Sequence, residues 1–81
     1  MMHYIYIVEC ADSSLYTGYA RNVEQRIKEH NTSEKGAKYT RGRRPVKLRY
    51  FEAFETRSEA CKRESQIKKL TRKEKEVLIN R

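Results

Sequence analysis

The sequence predicts an α+β fold, a small three-stranded and mostly antiparallel sheet flanked by helices in the order β-β-α-loop-β-α-α. Three observations carry this. The first twenty residues contain two apolar, β-favouring runs around a turn, the pattern of a hairpin. Three Asn or Thr residues each stand three positions before a Gln or Glu, the signature of a helix start. Between the helices so marked, one stretch alternates apolar and polar with the period of a strand.

Taken in order, Tyr4-Ile5-Tyr6-Ile7-Val8 is a continuous run of aromatic and β-branched residues, which predicts a strand covered on both faces. Ala11-Asp12-Ser13-Ser14 is turn chemistry. Leu15 to Ala20 returns as the second strand, and Gly18 inside it marks a bulge or a close backbone approach. Asn22 with Gln25 opens a helix that runs to about Asn31. Its stripe is Val23, Arg26, Ile27 and His30. Two of these are apolar, as packing requires; the arginine and the histidine are expected to flank the buried edge and point across the sheet surface.

A segment punctuated by Gly36, Gly42 and Pro45 follows and reads largely as loop. Val46 to Tyr50 alternates as a third strand with one wet face. Thr56 and Glu59 open a helix whose stripe is Ala60, Glu64 and Ile67. Thr71 and Glu74 cap a last short helix with Val77 and Leu78 as its apolar face. The expected organisation is one domain over residues 1–81, since 81 residues supply one thin core.

The charge balance points to a partner. Nineteen Lys and Arg against eleven Asp and Glu give a net charge of +8. A basic domain of this kind carries the electrostatic footprint of a nucleic-acid binder. The excess is concentrated: residues 35–50 hold seven bases and no acid, whereas residues 1–34 hold three bases and five acids. Lys35, Lys38, Arg41, Arg43, Arg44 and Lys47, with Tyr39 among them, are the candidate phosphate contacts. No apolar run approaches the roughly 18 residues a membrane helix needs, so no membrane association is expected. Cys10 and Cys61 form neither a CxxC pair nor a disulfide framework. They read as buried free thiols of a cytoplasmic protein.

Arg26, His30 and Glu64 each break the local rule for a packing face, which is where functional sites are expected. Tyr6 and Tyr16 add hydroxyls from the hairpin, although the spacing alone does not fix its register. Each residue also has a plainer role: strand packing for the tyrosines, an ion pair with Asp12 or Glu29 for Arg26, a helix-end position for His30, and an i,i+4 pair with Lys68 for Glu64.

Together these residues resemble the GIY-YIG nuclease superfamily. Tyr4-Ile5-Tyr6 and, ten residues on, Tyr16-Thr17-Gly18 are similar to its paired tripeptides, with Gly18 the glycine of the second. Arg26 matches the helix arginine, His30 follows at i+4, and Glu64 matches the metal-binding glutamate. The likeness is greatest to small stand-alone bacterial members, which share the stretch Gly36-Ala37-Lys38-Tyr39-Thr40. Two departures stand out: Tyr4 replaces the first glycine, where its bulk narrows the site, and the late asparagine of many members has only Asn80 as a candidate.

The resemblance implies metal-dependent hydrolysis of DNA phosphodiester bonds, in a setting of repair or recombination. Glu64 would hold one divalent cation, Mg²⁺ or in its place Mn²⁺, with water and phosphate oxygens completing the shell. Arg26 would fork onto the phosphate. Tyr6, Tyr16 and His30 would position and deprotonate the attacking water, the choice of base between the two tyrosines leaning to Tyr6. Selection of a target would then fall to nucleic-acid shape, a homodimer or a partner protein. The alternative is a module on the same fold that binds nucleic acid without cutting it.

Overall fold

A computed structural model describes residues 1–32 and 35–81. The elements are β1 (His3–Glu9), β2 (Leu15–Ala20), α1 (Val23–Thr32), α2 (Lys38–Arg41), β3 (Lys47–Phe54), α3 (Arg57–Lys68) and α4 (Arg72–Ile79). The three strands form one antiparallel sheet in the order β2-β1-β3. The expected α+β fold and element order are both present.

The central place of β1 accounts for its unbroken apolar sequence. Ile5, Tyr6, Ile7 and Val8 are all 1% exposed or less, because both faces of the strand are covered. On one face Ile5 and Ile7 pack with Ala60 and Ile67 of α3 and Leu78 of α4. On the other, Tyr6, Val8 and Cys10 pack with Ala20 and Val46, flanked by Val23 and Ile27 of α1. The α1 stripe therefore divides as its chemistry requires, the two aliphatic side chains closing the core.

The turn between β1 and β2 closes through Cys10, whose N–H donates to the Ser14 carbonyl at 2.8 Å. Asp12 Oδ1 accepts from the Ser14 N–H at 3.0 Å, the local bond that makes Asp a turn residue. Ser13 takes the left-handed conformation there, at φ 69°. Thr71 and Glu74 form a complete capping box at the start of α4. Asn22 accepts from the Gln25 N–H at 3.0 Å, but the Gln25 side chain turns to Glu29 instead of closing the box.

Between α1 and β3 the expected loop holds the one-turn helix α2. Three readings of the sequence are corrected. The third strand begins at Lys47 and runs on to Phe54. It carries a bulge, with Tyr50 opposite Ile7 and Leu48 opposite Val8, so one extra residue breaks the period of two. Tyr50 consequently packs on the α3 side while Leu48 shares the opposite face and stays 37% exposed. Val77 is exposed, and Ile79 joins Leu78 against the core instead. Cys61 is exposed because it sits about 100° around the helix from buried Ala60; Cys10 is buried and free as expected.

Candidate active site

The hairpin register places Tyr6 opposite Gly18 and Tyr16 opposite Val8. The two tyrosines are thus diagonal neighbours on the sheet face that α1 covers. Gly18 is a site of close approach and not of a bulge. A Cβ at this position would lie 2.4 Å from the Tyr6 hydroxyl, so the absence of a side chain gives the ring its bed.

His30 does not point across the surface, as its place on the stripe suggested. It is wholly buried. Its Nε2 lies 2.7 Å from the Tyr6 hydroxyl and its Nδ1 2.7 Å from the Thr40 hydroxyl. Both tyrosine rings meet the imidazole edge-on, Tyr6 at 5.8 Å and Tyr16 at 5.6 Å between centroids. Tyr16 then stacks on Tyr39 at 5.6 Å, and the Arg43 guanidinium lies 4.1 Å from the Tyr39 ring centre. A column of rings therefore runs from the buried Tyr6 out to the exposed Tyr39.

Arg26 is half-buried one helical turn before His30. Its Nη1 donates to Glu29 Oε1 at 3.0 Å and to the Lys35 carbonyl at 2.7 Å. The expected plain partner, Glu29, is real, yet Arg26 also acts on the Tyr6 oxygen, where its charge favours the ionised phenol. Burial outweighs that influence and pushes Tyr6 up to about 12. Burial, and after it the Arg26 cation, draws His30 down to about 4. At neutral pH the pair is an un-ionised phenol against an un-ionised imidazole.

Glu64 occupies the α3 stripe between the buried Ala60 and Ile67 turns, with its side chain 19% exposed. It pairs with Lys68 Nζ at 3.1 Å, and it acts electrostatically on Tyr6. Among the described residues no three His, Cys, Asp or Glu side chains gather as a metal cage. A lone, half-buried carboxylate suits a hard cation that keeps most of its waters and shares the substrate's phosphate. The chemistry of Glu64 therefore fits a hard divalent cation.

The basic segment splits into two kinds of residue. Lys35, Lys38, Arg41 and Lys47 are exposed. Arg43 is tied to Asp12 at 2.9 Å and to the Tyr39 carbonyl at 2.8 Å, and Arg44 donates to the His30 carbonyl. These two brace the loop against the hairpin turn and α1. Tyr4 does not crowd the tyrosine pair: its ring lies against Phe51 of β3 at 6.1 Å. Asn80 caps α4 and lines a cleft with Glu9, Arg49, Arg72 and Glu76, a cleft that neither Tyr6 nor Glu64 lines.

In the sequence Thr40 is the last residue of the stretch Gly36-Ala37-Lys38-Tyr39-Thr40, which marks it without giving it a role. In the structure it is wholly buried between exposed Tyr39 and Arg41.

Comparison with known proteins shows the family and the fold. Residues 2–77 match the model of the GIY-YIG catalytic domain. A UPF0213 protein of Haloquadratum walsbyi is 62% identical over 76 residues, covering 94% of this chain and 84% of its own. A UPF0213 protein of Clostridium perfringens is 61% identical over 79 residues, covering 98% and 84%. The solution NMR structure of a UPF0213 protein from Bacillus halodurans is similar at 51% identity and a TM-score of 0.63, over 99% of this chain and 84% of that one. A solution NMR structure from E. faecalis is similar at the same identity and coverage, with a TM-score of 0.66.

Proposed function

The chain belongs to the GIY-YIG family, and on that premise we propose that it is a metal-dependent endonuclease that hydrolyses phosphodiester bonds of DNA. The observation that carries the proposal is the convergence on Tyr6: His30 by hydrogen bond, Arg26 and Glu64 by charge, and Tyr16 across their shared imidazole. Packing alone does not require an arginine, a carboxylate, an imidazole and a second phenol around one buried phenol.

Arg26 is the phosphate clamp. Its guanidinium leaves Glu29 and the Lys35 carbonyl to fork onto two phosphate oxygens, where it stabilises the charge of the pentavalent transition state. Tyr16, once ionised to the phenolate, is the better-placed of the two tyrosines to take the proton of the attacking water. It is half-buried beside the exposed Tyr39, whereas the Tyr6 hydroxyl is spent on His30 and is held un-ionised by burial. Tyr6 then serves to hold Arg26 and Tyr16 in place. When bound at Glu64, a divalent cation supplies Lewis-acid stabilisation of the phosphate and the leaving oxygen. The exposed Lys35, Lys38, Arg41 and Lys47 lie along the duplex or strand that leads into the site and release its counterions.

A panel of duplex, nicked, single-stranded, flap and branched DNA, with RNA beside it, tests the reading in Mg²⁺ and in Mn²⁺. Cleavage of at least one DNA is expected. Salt-sensitive binding to the panel with no metal-dependent cut on any member would instead establish the non-catalytic binding module.

A further inference from the structure

We infer that Thr40 is a positioning residue of the active site, fixing the proton of His30 on Nδ1 so that Nε2 is left as the acceptor for the Tyr6 hydroxyl. The inference rests on the nuclease reading only for its consequence on cleavage; the tautomer itself is a property of the free protein.

The argument is one of counting hydrogens. A hydroxyl has one proton to donate and an imidazole that is neutral has one. The Thr40 hydroxyl lies 2.9 Å from the Ala37 carbonyl, which can only accept. The same oxygen lies 2.7 Å from His30 Nδ1. If Thr40 gives its proton to Ala37, Nδ1 must be the donor of the second bond. His30 Nε2 then has no proton, and the contact of 2.7 Å to Tyr6 is a phenol O–H donating to nitrogen. All three short contacts are satisfied in one direction, Tyr6 to His30 to Thr40 to Ala37.

The opposite tautomer exchanges a shorter contact for a longer one. Nδ1 would accept from Thr40 and, at 3.4 Å, from the Ala37 N–H, while the Thr40 hydroxyl would give up the Ala37 carbonyl at 2.9 Å. Nε2–H would donate to the Tyr6 oxygen, and the proton of the 1% exposed phenol would lose its imidazole acceptor, which is costly where no water can replace it.

The chain is built to keep Thr40 there. Gly36 sits where a Cβ would come within 2.8 Å of the His30 Cα, so the loop lies directly on the α1 backbone. Arg44 returns to the His30 carbonyl and clamps the far end of the segment. The one-turn helix α2 between them has the length needed to bring Thr40 round to the imidazole. Fixing a histidine through its second nitrogen is a general device for setting tautomer and ring orientation, and at metal-bound histidines losing that partner commonly costs about tenfold or more.

The test reads the ring nitrogens directly. Long-range ¹H–¹⁵N correlation spectra of the ¹⁵N-labelled wild-type protein at neutral pH are expected to show His30 protonated on Nδ1. Finding the proton on Nε2 overturns the inference without any variant. Thr40→Val, which keeps the shape and removes the hydroxyl, is expected to raise the Nε2–H population and to lower kcat by roughly tenfold with KM little changed. Thr40→Ser is expected to restore both. An unchanged tautomer in a folded Thr40→Val protein also overturns it. Should Thr40→Val fail to fold, the wild-type and Thr40→Ser spectra decide. If the wild-type protein cuts nothing, the tautomer still decides this inference while the nuclease reading falls separately.

Discussion

The ring of Tyr6 lies over Gly18 so closely that a methyl group on residue 18 would stand 2.4 Å from the tyrosine hydroxyl and 2.5 Å from its Cζ. The hydroxyl cannot retreat, because it is bound to His30 on its other side. Gly18→Ala is therefore expected to destabilise the fold by about 1–3 kcal/mol, the cost of overpacking a closed site, measured by urea unfolding. It should also lower cleavage in the folded fraction, because Tyr6 cannot move without moving the imidazole.

Protonating His30 should destabilise the protein. A neutral imidazole with a native pKa of about 4 and an unfolded value near 6.5 binds fewer protons folded than unfolded between those limits. Its contribution is complete above about pH 6.5 and is lost as the pH falls through about 4, amounting to about 3 kcal/mol at most. Unfolding free energy measured from pH 4 to 7 should rise with pH, and His30→Gln should flatten that rise. The Tyr6 phenol gives the opposite limb, stability present below about pH 10 and lost as the pH rises through about 12.

Among the described residues, the Thr17 hydroxyl is the buried side-chain polar atom with no hydrogen-bond partner. The middle residue of this tripeptide lies at 2% exposure in the sheet, opposite Ile7. Thr17→Val replaces the hydroxyl by a methyl of the same shape and is expected to stabilise the protein by about 1 kcal/mol, read as a higher urea midpoint at unchanged slope.

The two kinds of basic residue should separate in binding experiments. Replacing exposed Lys35, Lys38 and Arg41 together by Gln should weaken DNA binding and make the slope of log K against log salt shallower, by up to about three counterions. Arg43→Gln instead breaks the tie to Asp12 and the seat on Tyr39, so it should loosen the segment as well as weaken binding. Amide hydrogen exchange of residues 37–43 distinguishes the two.

How much of this was legible beforehand depends on the range of the interaction. Asn22, Thr56 and Thr71 announced their helices because a cap acts over three residues, and all three accept from the expected N–H. The continuous run at Tyr4 to Val8 announced a central strand because only a strand covered twice excludes polar residues. The meeting of Tyr6 with Gly18 and His30 was not readable, since register and helix rotation are set by packing across the sheet. The bulge opposite Ile7 likewise hides in a sequence that alternates cleanly up to Tyr50. The contact of Thr40 with His30 was hidden for the same reason: its partner is ten residues away and buried only in the folded chain.

The central claim is that Glu64 completes a hydrolytic site with Arg26 and Tyr16. The most direct measurement is cleavage of the best DNA of the panel in Mg²⁺ by wild type and by Glu64→Ala, purified alike and matched for folding by circular dichroism. The account predicts cutting by the wild type that requires the metal, and a loss of at least about a hundredfold in the variant. Equal cleavage by the two proteins would contradict it.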